Sequence, residues 1–173
     1  MPISYQAPKR GDSLRKTTTS QSVKSNTATE STTVQKLLDY KGNTVFTIGA
    51  QNTIADAVII LRDKRIGALV VTDDEGAMQG ILSERDIVRK LAETPGQTLP
   101  QSVADNMTRR VVTCTTRDPL VSVLRRMTEG RFRHMPVVED GKLVGIVTIG
   151  DVINHRLNEL EHEALQLKQI IVG

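Results

Sequence analysis

Laid over itself at an offset of 66 residues, the chain matches: Val45-Phe46-Thr47-Ile48 falls on Val111-Val112-Thr113-Cys114, Arg65 on Arg131 and Val71 on Val137. One extra residue in the first copy then reduces the offset to 65, and Gly80-Ile81-Leu82-Ser83-Glu84-Arg85-Asp86-Ile87 falls on Gly145-Ile146-Val147-Thr148-Ile149-Gly150-Asp151-Val152. Each copy reads strand, turn, amphipathic helix, strand, tight turn, strand, helix. A unit of that size does not bury its apolar faces alone. The two copies are therefore expected to build one domain, which uses most of the 173 residues and leaves no room within them for a separate catalytic domain.

A short helix over 34–40, ended by Lys41-Gly42-Asn43, is expected ahead of the first copy. A strand follows around Val45, and Asn52 or Thr53 can cap the next helix, whose apolar positions Ile54, Ala57, Val58 and Leu61 keep helical spacing. In the second copy Asp118 is the expected N-cap and Pro119 the first helical residue, with Leu120, Val123, Leu124 and Met127 on the apolar face. Each helix feeds a buried strand, 68–72 or 135–138, then a hairpin, then a strand, 80–82 or 145–147, that runs into a helix opening at Ser83 or Thr148. The stretch 94–100, with two prolines, reads as a loop. From Ile153 the last helix carries Leu157, Leu160, Ala164, Leu167 and Ile171 on a heptad seam. Simple packing and self-association both account for it; its projection beyond the second copy favours a homodimer.

The net charge of +3 and the pI near 9.2 suggest a nucleic-acid partner. The placement of the charge opposes that. Lys9, Arg10, Arg15, Lys16 and Lys24 face only Asp12 and Glu30 within residues 1–33, so the leader holds the whole excess and the remainder is neutral. With no Trp, two Phe and two Tyr, the chain also lacks stacking platforms for bases. The single cysteine, Cys114, excludes an internal disulfide and fits a reducing compartment; among apolar neighbours it reads as a buried, inert thiol. No apolar run approaches a membrane span, so a cytoplasmic protein is expected. The Ser/Thr-rich leader is expected to be disordered, although its basic, acid-poor composition also resembles an organellar transit sequence.

Ser83-x-x-Asp86 and Thr148-x-x-Asp151 carry two readings. Each is close to a capping box, which needs no ligand. Each also places a hydroxyl and free N–H groups where a phosphate binds, with a carboxylate one turn on that can accept from two ribose hydroxyls. No G-x-G-x-x-G, P-loop or nucleophile elbow is present. His155, Glu159 and His162 share a helical face without an evident fourth ligand, so no metal is expected. His134 lacks a nucleophile beside it, and the chain is not expected to be an enzyme.

In their order, Gly80 to Ile87, Arg131-Phe132-Arg133-His134-Met135-Pro136-Val137-Val138 and Gly145 to Val152 resemble the signatures of CBS domains, and the tandem resembles a Bateman module over about 34–155. The resemblance implies an α/β (α+β) fold of two β-α-β-β-α repeats about a pseudo-twofold axis. It divides the chain into a leader (1–33), repeat 1 (34–93), linker (94–101), repeat 2 (102–155) and C-terminal helix (156–173). It further implies up to two clefts that bind AMP, ADP, ATP or sometimes NAD(H) or S-adenosylmethionine in a regulatory, non-catalytic role, with occupancy passed to an unidentified protein partner.

In that pattern Asp86 and Asp151 would hold ribose hydroxyls, with Ser83 and Thr148 near phosphate. Adenine would rest against Thr47, Ile66, Gly67 and Ala68 in one cleft and Val112, Thr113, Met135 and Pro136 in the other. Arg133-His134 replaces Gly67-Ala68 at matched positions, so a tighter phosphate site is expected from Ser83, Asp86, Arg133 and His134, with Arg85 as a further candidate. The Asp151 cleft is expected to hold phosphate more weakly or to take a larger ligand. The competing reading is a dimerisation module with empty clefts.

Overall fold

The computed structural model describes residues 32–172. The expected disorder of the leader therefore lies outside the described residues, except at Thr32 and Thr33, which dock on the second repeat: Leu120 N donates to Thr32 O at 2.8 Å, and Thr33 bridges Pro119. In chain order the elements are α1 (Val34–Lys41), β1 (Thr47–Gly49), α2 (Ile54–Lys64), β2 (Ala68–Thr72), β3 (Met78–Ser83), α3 (Glu84–Glu93), α4 (Val103–Asn106), α5 (Leu120–Gly130), β4 (His134–Glu139), β5 (Lys142–Thr148) and α6 (Ile149–Val172).

In the first repeat β2 is central, parallel to β1 and antiparallel to β3. In the second, β4 and β5 pair antiparallel. The duplication extends to irregularities, because the ladder shifts register at Val71/Thr72 and again, 66 residues on, at Val137/Val138. One expected strand is corrected: the stretch around Val111–Cys114 shrinks to a single parallel bridge between Cys114 and Val137. The cause is local: the first copy extends its ladder with a bond from Val70 N to Phe46 O, and Pro136, which stands at the position matched to Val70, has no N–H to donate to Val112.

Helix starts follow their caps. Thr53 and Asp56 close a full capping box on α2, while Asn52 Oδ1 accepts from Gly49 N. Asp118 is a second correction. Pro119 is the N-cap of α5 and no side chain caps it; the Asp118 carboxylate turns instead to Arg126 and Thr115. Burial opposes its ionisation, but these hydrogen bonds outweigh that and hold its pKa below the ordinary value. Val58, expected in the core, is 38% exposed. The 94–100 stretch is more than a loop: buried Thr98 donates toward Lys90 O and Thr94 O, and the carbonyls of Leu99 and Gln101 accept from Ala55 N and Ile54 N.

The packing is exchanged between the halves. Helix α1 precedes the first repeat, yet Val34, Leu37 and Leu38 are buried with Leu120, Val123, Met127, Met135 and Val147 of the second. Helix α4 opens the second repeat, yet Val103 is buried with Ile54, Leu61, Leu69 and Leu82 of the first. Fully burying one such side chain contributes about 1.5–3 kcal/mol, so neither half is complete without the helix lent by the other. Two glycines admit the lent segments: a Cβ on Gly80 would lie 2.8 Å from Thr108 O, and one on Gly145 would lie 2.9 Å from Leu38 Cδ2. Because Thr108 O is backbone, held by Ile81 N at 3.0 Å, it has little freedom to move. Gly80→Ala is therefore expected to destabilise the fold by about 1–3 kcal/mol in urea unfolding; an unchanged midpoint and slope would show that the lent segment yields freely.

Candidate functional site

Between the repeats lies a cavity of about 450 Å³. Three stretches wall it: β3 running into α3 (Ile81, Ser83–Asp86, Arg89), the segment after α4 (Thr108, Arg110–Val112), and the end of α5 running into β4 (Gly130–His134), with Gly67 beside them. The middle stretch is delivered by the exchanged α4, since Ile81 and Thr108 form a two-bond bridge across β3.

At the mouth of α3 the capping box is complete. Asp86 Oδ2 accepts from Ser83 N at 3.0 Å and Ser83 Oγ at 2.6 Å, and Asp86 N donates back to Ser83 Oγ at 3.3 Å. The box fixes the carboxylate on the cavity wall one turn into a helix whose N-terminal dipole favours anions. From the preceding residue, Arg85 Nη1 donates to Arg131 O at 2.8 Å, tying the two halves together at the cavity. Arg131 ends α5 in the left-handed region, φ 56°, as Arg65 ends α2 at φ 54°, a conformation that costs a non-glycine residue about 1 kcal/mol. The His134 imidazole approaches the first repeat only because position 67 has no side chain: a Cβ there would lie 3.0 Å from Cε1 and 3.1 Å from Nε2. Burial pushes the His134 pKa down, Arg133 and Lys41 add to the shift, and Asp151 opposes it, so the ring is neutral near pH 7.

Of the residues singled out in the sequence, Gly67, Ser83, Arg85, Asp86, Val112, Arg133 and His134 meet at this cavity. The assignment of Gly67 and Val112 to different clefts is corrected, because they share one. Ala68, Met135 and Pro136 are buried, Met135 within the second core at 0% exposure. Ile66 packs on the first core, Thr113 gives its carbonyl to Arg126, and Thr47 is exposed at the start of β1. Arg89, Arg110 and Arg131 were not singled out as ligand contacts. Arg89 follows Asp86 by three residues and so shares its helical face, and Arg110 replaces Thr44 at the matched position; both signals lay in the sequence.

The matched aspartate has a different setting. Asp151 Oδ2 accepts from Thr148 N at 3.0 Å and Asp151 N donates to Thr148 Oγ1, but Lys41 Nζ from α1 reaches the same Oδ2 at 2.6 Å. With side chains only 22% and 28% exposed, this is a well-covered ion pair. It borders a separate cavity of about 390 Å³ between α1 and α6, with Tyr40 and His155. The residue matched to Lys41 is Met107, which has no charge to offer Asp86. His155 pairs with Glu159 at 3.5 Å and meets Tyr40 edge-on. Burial pushes the Cys114 thiol up to about 12, which makes it inert.

The model of the CBS domain family matches residues 42–93 and 102–158. The chain belongs to the CBS-domain family. The mitochondrial CBS domain-containing protein CBSX3 of Arabidopsis thaliana is 32% identical over 152 residues, 83% of this chain and 74% of that protein; the chain spans only 24% of two further curated relatives. Among solved structures, the CBS-domain protein ATU1752 of Agrobacterium tumefaciens is 45% identical with a TM-score of 0.71, over 72% of this chain and 99% of that one. The CBS-domain pair of protein MJ0100, solved with 5′-methylthioadenosine and S-adenosyl-L-methionine, is 28% identical with a TM-score of 0.66, over 74% and 98%. The architecture is thus a mixed α+β CBS pair with a C-terminal helix. No helix among the described residues is long and apolar enough to cross a membrane.

The depressed His134 pKa gives a signed pH dependence. The unfolded chain takes up this proton more readily than the folded one, so the contribution of neutral His134 is present above the unfolded-state value near 6.5 and is lost as pH falls below it. Denaturant titrations from about pH 7 to about pH 5 are expected to show a steeper loss of stability for the native chain than for His134→Gln. Parallel curves would place the imidazole in solvent-like surroundings.

Proposed function

We propose that this protein is a regulatory adenine-nucleotide sensor, binding AMP, ADP, ATP or NAD(H) in the cavity between its repeats and passing occupancy to a protein partner. The observation that carries the reading is the Asp86 carboxylate, fixed at the mouth of α3 inside an arginine-walled cavity to which both repeats contribute. Ribose hydroxyls would donate to Asp86, phosphate would meet the α3 N-terminus, Arg133 and His134, and the base would lie along Ile81, Val111 and Val112. The adenosine ligands of protein MJ0100 support this ligand class. The cationic walls favour a phosphorylated nucleotide over a sulfonium compound. A ligand that contacts both halves shifts their relative placement by its differential affinity, typically about 1–3 kcal/mol of coupling.

Asp151, already engaged by Lys41, would be the weaker site. The exposed seam of α6, Ile153, Leu157, Leu160, Leu167 and Ile171, supports a homodimer. The alternative function, a dimerisation module with unoccupied clefts, is favoured by the complete Ser83–Asp86 cap, which is stable without a ligand. The reading places the protein in the cytoplasm; the basic leader and the mitochondrial name of one relative favour organellar import as the alternative, and a tagged fusion separates the two.

Calorimetric titration with AMP, ATP and NADH is expected to show one tight site per chain. Asp86→Ala should weaken it at least about tenfold while lowering stability by only the ~0.5–2 kcal/mol of a lost cap. No heat with any of these ligands would remove the sensor reading, and loss of stability alone in Asp86→Ala would leave the packing role. Lys41→Met, which copies the first site, is expected to raise the stoichiometry toward two; a stoichiometry that stays at one would mean that the ion pair is not what closes the second cleft.

A further inference from the structure

The cavity wall carries five guanidinium groups, of Arg85, Arg89, Arg110, Arg131 and Arg133, against the carboxylates of Glu84 and Asp86. Arg85 is engaged with the Arg131 carbonyl. The side chains of the other four make no ion pair or hydrogen bond within the described residues, although Lys41, Arg62, Lys90, Arg126 and Arg156 elsewhere each reach a carboxylate. Like charges gathered in a concavity repel one another, and the low-dielectric walls focus their field into the enclosed space. Such an arrangement gains stability only when an anion enters.

These arginines come from three separate stretches of chain and meet around one volume. Arg133 adjoins His134 next to Gly67, Arg131 ends α5, Arg110 leads into Val111, and Arg89 lies three residues beyond Asp86, about 4.5 Å further along α3. A monophosphate brings at most about two negative charges and is satisfied by the α3 N-terminus with one or two guanidiniums. That leaves cations on the remaining walls unmatched.

Resting on the nucleotide reading above, we propose that the cavity selects a nucleoside triphosphate over the monophosphate, with Arg110 and Arg89 as the residues that read the length of the phosphate chain. The guanidinium fork suits bidentate contact with successive phosphates. Arg133 would hold the phosphate nearest the ribose, and Arg110 and Arg89 those beyond it. The matched positions in the other half offer Thr44 for Arg110 and Asn154 for Arg89, so the same reader is not duplicated.

Calorimetry of the full chain with AMP, ADP, ATP and inorganic tripolyphosphate, at low and at physiological salt, tests this. Affinity is expected to rise from AMP to ATP by at least about tenfold, with the steeper salt dependence for ATP. Arg110→Gln and Arg89→Gln should each weaken ATP about tenfold and AMP less than about threefold, and Arg110→Lys should recover part of the loss. Equal affinity for AMP and ATP, or equal weakening of both by the variants, would overturn the length selection and leave the nucleotide reading standing. Tripolyphosphate binding that the variants abolish, with no nucleotide bound, would support the arginine reader and overturn the nucleotide reading instead.

Discussion

The exchange of α1 and α4 between the repeats is the contact on which the remaining structure rests. Leu37 and Val103 lie at matched positions 66 residues apart, both essentially without exposure, and each completes the core of the repeat it does not belong to by sequence. A pair of αβ units that merely touched would part easily. Here separation would strip apolar side chains from both cores at once, so the halves are expected to unfold as one cooperative body. The same exchange carries Thr108 to the edge of β3 and the following Arg110-Val111-Val112 into the cavity wall. Interlocked packing and the presence of an enclosed site are therefore one fact.

Duplication supplies the frame, and a few substitutions break its symmetry. At the two helix mouths, Ser83 donates its hydroxyl to Asp86, whereas Lys41 takes that place on Asp151. At the starts of β2 and β4, Arg133-His134 stands where the first copy has Gly67-Ala68, and both changes act on the same space: the small residue makes room, and the large ones bring a guanidinium and a neutral imidazole to it. Lys41 matched to Met107 acts in the opposite sense, pairing one carboxylate with a cation while the other is held by Ser83 alone. Two halves built to one plan thus present one open, cationic cleft and one neutralised by its own chain.

Much of this was legible in the sequence because its causes are local. Helical spacing, the Thr53 and Ser83 caps and the hairpin turns depend on neighbours a few residues away, and the 66-residue offset let each copy check the other. Ser83, Asp86, Arg133 and His134 could be brought together because matched positions across a pseudo-twofold axis are predictable from the duplication alone. What escaped was non-local. Nothing near Lys41 announces a partner 110 residues on, and the direction in which α1 packs is invisible to periodicity. Asp118 shows a subtler limit: Asp before Pro reads as a helix start, but Arg126, two turns later, competes for the carboxylate. The Val111–Cys114 strand failed for another non-local reason, since the residue facing it across the sheet is Pro136, which has no N–H to give the ladder.

Helix α6 is unbroken for 24 residues, roughly 36 Å at the usual rise. Its base is clamped by Thr148, Asp151 and Lys41, and from Leu160 to Ile171 every side chain is exposed. A rigid rod fixed at one end magnifies angle into distance: a tilt of roughly 5° at the base sweeps the tip through about 3 Å over that length. A protein docked on the far half of this rod would therefore meet, as a displacement large on the atomic scale, any small change of angle in the packing of α1, Val152 and the Lys41–Asp151 pair that holds its base.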